Sequence, residues 1–188
     1  MRIASVCLGP LATNCFILDF GDSVALIDPA EDAPVLRALI GGRRVDWVLN
    51  THGHFDHTGG DWAFPGASVR IHDADRPFLD ETYPEHPPVG PALEEGEVFL
   101  GELTVLHTPG HSPGSIVLVG DGVLFVGDLL FAGSIGRTDL PGGSVEEMVA
   151  SLRRIAGLPG DYTVYPGHGE TTTLEVERRC NPFLVGVT

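Results

Sequence analysis

Residues 52–57 read His52-Gly53-His54-Phe55-Asp56-His57. Three imidazoles and one carboxylate therefore fall within six positions, directly after the apolar run Val45-Asp46-Trp47-Val48-Leu49. Side chains so closely spaced cannot all turn into an apolar core without partners, and a shared cation satisfies several at once. The plain alternative is a polar loop that happens to be rich in His. Three further segments argue against it. His111 lies in a Pro109-Gly110 loop after the apolar stretch 103–107, Asp128 directly follows Val123-Leu124-Phe125-Val126-Gly127, and His168 lies in a Pro166-Gly167 loop after 162–165. Each alone reads as a loop histidine or a turn residue. Together, polar candidates recur at the ends of apolar strands, where a rigid scaffold can bring loops into one site. Five His and two Asp suffice for two metal ions that share a bridging carboxylate and leave room for water. His72, His86 and His107 lack this context and are read as structural or exposed, with His107 and Thr108 near enough in sequence to support a site.

The elements that must position these residues are legible from periodicity. Short apolar runs at 2–8, 14–20 and 23–27, separated by Gly9-Pro10 and Gly21-Asp22, read as strands. A helix is expected over 31–40, with Val35, Leu36, Leu39 and Ile40 on one side and Gly41-Gly42 as its stop. Strands follow at 45–49 and 68–71, and the four prolines of 81–91 predict an irregular excursion. The second half predicts hairpins 97–100/103–107 and 116–119/123–126, a helix opened by a Ser144/Glu147 capping box, and a last strand at 162–165. The apolar face of that helix is read as Val145, Met148, Val149, Leu152 and Ile155. Two β-rich halves, each with helices, predict an α/β (α+β) fold of two sheets face to face with helices outside.

The 188 residues suit a single domain, with hydrophobic residues at 43% and charged residues at 20%. The net charge of −15 disfavours nucleic acid and anionic membranes as partners. All eleven basic residues are Arg, so lysine Schiff-base and P-loop chemistry are excluded. Cys7, Cys15 and Cys180 lack CxxC spacing, and Cys7 and Cys15 are read as small buried hydrophobes. No signal peptide or membrane span is legible, so a cytoplasmic location is expected.

The run at 52–57, followed in order by His111, Asp128 and His168, resembles the metallo-β-lactamase superfamily. Residues 133–143 and the tail from Glu177 to Leu184 are similar to the short, single-domain glyoxalase-II-like hydrolases. The resemblance covers nearly the whole chain. It implies a four-layer αββα sandwich over 1–188. It implies that His52, His54 and His111 hold one metal, that Asp56, His57 and His168 hold a second, and that Asp128 bridges. Relatives that hydrolyse β-lactams would normally place Cys or another set in the second site. Long glyoxalase II enzymes carry a C-terminal helical glutathione-binding region, expected to be missing here, and have Lys and Tyr where this chain has Arg137 and Asp139.

Imidazole and carboxylate donors without thiolate suit zinc, iron or manganese, with zinc the first expectation. Two divalent ions would lower the pKa of a bridging water, and the resulting hydroxide is expected to attack a thioester such as S-lactoylglutathione. Asp56 could orient that hydroxide and accept its proton. Arg137 is the substrate-binding candidate, as a carboxylate clamp, with a salt bridge to Asp139 as the structural alternative. The alternative activities are an iron-dependent persulfide (sulfur) dioxygenase, with one iron on His52, His111 and Asp128, and a lactonase. Composition leaves the oligomeric state open.

Overall fold

The computed structural model describes residues 1–185. The chain divides into two compact units, Met1–Leu93 and the chain from Glu94 onward. The first contains β1 (Arg2–Leu8), β2 (Thr13–Asp19), β3 (Val24–Ile27), α1 (Pro34–Ile40), β4 (Trp47–Leu49), α2 (Phe55–Thr58), β5 (Ser68–Arg70) and α3 (Arg76–Thr82). Its five strands pair in sequence order. β1, β2 and β3 are antiparallel, whereas β3, β4 and β5 are parallel to one another. Parallel strands need a crossover, and α1 supplies one between β3 and β4. The three parallel strands therefore end on one edge, which is where Asp28 and residues 50–57 emerge.

Burial explains the local sequence. β3 is buried at all four positions, as a near-continuous apolar run in a parallel arrangement should be. β1 is mostly exposed, and Cys7 on it faces solvent, contrary to the expectation of a buried thiol. An outer strand has only one neighbour, so an apolar run there does not ensure burial. Cys15 on β2 is buried as expected, and burial pushes its thiol pKa up. α1 starts at Pro34, a residue suited to the first helical turn, rather than at residue 31. Only Leu36 and Ile40 of its expected stripe are buried; Val35 and Leu39 are 49% and 47% exposed. The i, i+4 pair 36/40 defines the packed face, and 35 and 39 lie one position off it. α3 had no periodic signal; fully buried Leu79 fixes it.

The second unit contains β6 (Val98–Phe99), β7 (Leu103–His107), β8 (Ile116–Gly120), β9 (Val123–Gly127), β10 (Leu130–Phe131), β11 (Ser134–Ile135), α4 (Val145–Ala156), β12 (Thr163–Pro166), β13 (Thr172–Thr173) and α5 (Leu174–Cys180). Six strands form a sheet of order β13-β12-β9-β8-β7-β6, and β10 pairs with β11 separately. β7, β8 and β9 alternate in direction, and β12 runs parallel to β9. β7, β9 and β12 therefore all end on the same edge, and His111, Asp128 and His168 follow those three ends. The predicted hairpins and the strand at 162–165 form as expected.

α4 carries half of the expected capping box. Ser144 Oγ accepts from the Glu147 amide at 3.2 Å, but the Ser144 amide donates to the Gly110 carbonyl instead of to Glu147. Its buried face is Met148, Ser151, Leu152, Ile155 and Ala156, while Val145 is 59% exposed. α5 and the two-residue strands β10, β11 and β13 were not anticipated. α5 brings Glu177, only 2% exposed, against the β10–β11 hairpin. Its carboxylate accepts from the Gly133 amide at 2.9 Å, Thr172 Oγ1 at 2.7 Å and Asn181 Nδ2 at 2.8 Å. Asn181 Nδ2 also donates to the carbonyls of Phe131 and Ser134.

Two substitutions gauge these ties by chemical denaturation. Ser144→Ala is expected to lose about 1 kcal/mol, one helix cap. Glu177→Ala takes the acceptor from the Gly133 amide and the Thr172 hydroxyl and one of three from Asn181, and is expected to lose more, about 3 kcal/mol.

Candidate metal centre

In the first unit, the turn after β4 carries His52 and leads into α2, which carries Asp56 and His57. Asp28, at the end of β3, organises this turn. It is 1% exposed and has a positive φ of 50°, a backbone region that Asp tolerates better than most residues. Its Oδ1 accepts from the Thr51 amide at 2.8 Å, and its Oδ2 accepts from Thr51 Oγ1 at 2.6 Å. His57 Nδ1 lies 2.9 Å from the same Oδ2. That acceptor places the proton on Nδ1, so His57 Nε2 presents a lone pair, 3.6 Å from Asp56 Oδ2. His52 packs at ring-centroid distances of 4.8 Å from His54 and 4.1 Å from His57. Gly53 is required by close approach: a Cβ there would lie 2.8 Å from the Asp75 carbonyl, and its amide donates to Asp75 Oδ2 at 2.8 Å. Below the turn, Asn50 Nδ2 donates to Asp61 Oδ2 at 2.5 Å. Burial pushes the Asp61 carboxyl well above the usual carboxylate range; the Asn50 hydrogen bond opposes this and the Asp28 charge reinforces it.

In the second unit, His111 Nε2 and His168 Nε2 each lie 3.5 Å from Asp128 Oδ2. His111 Nδ1 is 2.8 Å from the Arg137 carbonyl, so its proton sits on Nδ1 and Nε2 again presents a lone pair. Gly136 allows this: a Cβ there would fall 1.8 Å from the Asp128 carbonyl. Phe131 meets the His168 ring edge-on at 6.2 Å.

These residues fit divalent cations. The Nε2 atoms of His57, His111 and His168 lie 3.5–3.6 Å from carboxylate oxygens of Asp56 and Asp128, and in His57 and His111 that nitrogen carries the lone pair. That is longer than a charge-assisted N–H···O bond of about 2.7–2.9 Å. Two acceptors aimed at each other at such a distance suit a shared ion better than a shared proton. Hydrogen-bonded Nδ1 atoms, at His57 and His111, are the usual support of a ligand imidazole.

The remaining sequence candidates separate clearly. Arg137 is engaged with Asp139 by paired hydrogen bonds of 2.6 and 2.8 Å, and both side chains are largely exposed. The arginine holds the Asp139 carboxyl down to about 2. The salt bridge named as the structural alternative is thus formed. His72 caps a single 3-10 turn through Nδ1. His86 stacks on Trp62 and pairs with Asp80. His107 Nε2 meets the Pro113 carbonyl at 2.8 Å. Asp28, Thr51, Asp75 and the Arg137 carbonyl were not assigned chemistry from sequence. Asp28 had a signal: it ends an apolar strand just as Asp128 does.

The sequence profile of the Metallo-beta-lactamase superfamily matches residues 8–168. Hydroxyacylglutathione hydrolase GloC of Haemophilus influenzae is 33% identical over 98% of both chains. A hydroxyacylglutathione hydrolase of Alkalilimnicola ehrlichii is 42% identical over 78% of this chain and 57% of its own. Among solved structures, TTHA1623 in a di-iron-bound form is 40% identical, with a TM-score of 0.88 over 96% of this chain and all of that one. The B3 metallo-beta-lactamase BLEG-1 is 34% identical, with a TM-score of 0.85 over 98% of this chain and 100% of that one. ETHE1 from Myxococcus xanthus is 26% identical, with a TM-score of 0.79 over 99% and 85%. A mixed α/β chain with His/Asp clusters at its strand ends is thus a metal-binding hydrolase by class. The chain belongs to the metallo-beta-lactamase superfamily and has its fold.

Asp28→Asn removes one acceptor from the His57 ring and Thr51. It is expected to lower metal affinity about 10–100-fold with the fold retained, as read by competitive chelator titration. Asp61 has the opposite sign from a paired carboxylate. Its folded pKa is raised, so the metal-free protein loses stability as pH rises from about 4 toward that value. Asp61→Asn lacks this loss, and its stability relative to the parent should increase between acidic and neutral pH in urea titrations.

Proposed function

We propose that this chain is a metal-dependent thioester hydrolase acting on substrates such as S-lactoylglutathione. The observation that carries the reading is the set of ring nitrogens facing carboxylate oxygens at 3.5–3.6 Å with no thiolate donor. The names of the two curated relatives support a glutathione thioester. In this reading His52, His54 and His111 hold one ion, Asp56, His57 and His168 hold the other, and Asp128 is shared. Zinc is the first candidate, the di-iron-bound relative brings iron beside it, and manganese suits the same donors. Such ions supply an activated water and positive charge for the developing oxyanion.

The chain's own residues do the rest. Asp28 and the Arg137 carbonyl keep protons on the Nδ1 atoms of His57 and His111, leaving each Nε2 to bind. Asp56 Oδ2 orients the attacking water and accepts its proton. A thiolate leaves readily, so no strong general acid is needed. Arg137 would have to leave Asp139 to clamp a substrate carboxylate. Among the described residues no helix is long and apolar enough to cross a membrane. Three free cysteines suit the reducing cytoplasm.

A second reading, an iron-dependent persulfide dioxygenase on His52, His111 and Asp128, is favoured by the likeness to ETHE1. Lactone opening is a further activity within reach of the same activated water. The test is free-thiol release from S-lactoylglutathione by metal-replete protein. Turnover should vanish with a chelator, return with added metal, and fall about 10²–10⁴-fold in Asp56→Asn. Absence of turnover by fully loaded protein, with oxygen uptake on persulfide at one iron per chain, would replace this reading by the dioxygenase.

A further inference from the structure

Within the first unit lies a cavity of about 250 Å³ with Asp56 in its wall. The other walls come from separate elements: Pro10 and Leu11 of the β1–β2 turn, Phe55 at the start of α2, and Tyr83 just after α3. Leu11 is 52% exposed and Phe55 59% exposed. Single exposed apolar residues are ordinary on protein surfaces. These two differ because they line the same concavity, and because Asp56, the residue expected to handle the attacking water, lines it too. Phe55 is moreover the one apolar side chain inside the ligand run 52–57.

The backbone fixes this arrangement. Gly59, also lining the cavity, lies so close to the Ala30 carbonyl that a Cβ would sit 2.2 Å from it. α2 is therefore held against the end of the β3 segment, which keeps Phe55 and Asp56 beside the β1–β2 turn. The volume limits the occupant. Sites for drug-sized ligands span roughly 300–1,000 Å³. The cavity is smaller, so it suits a short chain and not a peptide-sized thiol carrier.

We propose that this cavity is the acyl subsite, and that Leu11 and Phe55 select substrates whose acyl group is a short aliphatic chain. The proposal rests on the hydrolase reading, since Asp56 marks where the scissile carbonyl would lie. The carbonyl carbon is attacked beside Asp56, the chain beyond it enters the apolar cavity, and the thiol half stays outside.

The products of such hydrolysis are carboxylates, so the subsite can be tested apart from the leaving group. Calorimetric titration of metal-replete protein with acetate, propionate, butyrate and pentanoate is expected to show affinity rising about fourfold per methylene until the cavity is filled. Leu11→Ala and Phe55→Ala should each flatten that rise; both side chains are exposed, and thermal melts check that the fold is intact. Thioesters of one thiol with the same acyl series should follow the same order in kcat/KM. A flat response in the parent, or a slope undiminished in both variants, overturns the subsite. Thiol release without chain-length dependence leaves the hydrolase standing and removes the subsite. Chain-length dependence in binding without thiol release removes the thioester reading and with it the acyl assignment, leaving an apolar site for short carboxylates.

Discussion

The Asp28 carboxylate is the tie on which the first half of the site depends. It sits buried at the end of β3 and accepts from a backbone amide, a hydroxyl and the His57 ring. A buried carboxylate is costly unless its lone pairs are met. Meeting them here sets both the path of the turn after β4 and the tautomer of His57. The parallel pairing of β3 with β4 makes this reachable, because it brings residue 28 and residue 51 to the same sheet edge.

The second unit reaches the same end by other means. There the partner of the candidate ligand His111 is a backbone carbonyl, that of Arg137, and its position depends on a chain of contacts. Glu177 and Asn181 of the α5 region hold the β10–β11 hairpin. The hairpin leads into Gly136, which passes close over Asp128. The segment 133–143 and the tail from Glu177 thus share one task, to hold His111 and its surroundings. A residue singled out as a substrate clamp acts in this structure through its main chain, while its guanidinium lies on Asp139.

The acidic surface and the donor set act at different ranges. A net charge of −15 shapes which partners approach, whereas the carboxylates of the site are local and set toward a cation. Leu11 and Phe55 give the cavity beside Asp56 an apolar wall.

The seven ligand candidates, the strand ends that carry them and most of the sheet could be read from the sequence, because period-two apolar runs and closely spaced imidazoles are local signals. The exposure of Cys7 on the edge strand, the packed face of α1 and the short strands of 130–135 could not, because burial there depends on what packs alongside. Residue types alone pointed to metal binding through nitrogen and oxygen donors. Only tertiary structure decided how the His57 and His111 rings are held, with which nitrogen keeps its proton and which carboxylate or carbonyl receives it, and that Phe55 and Leu11 line one cavity. Those are properties of residues distant in sequence and adjacent in space, set by hydrogen bonds of under 3 Å that no spacing along the chain encodes.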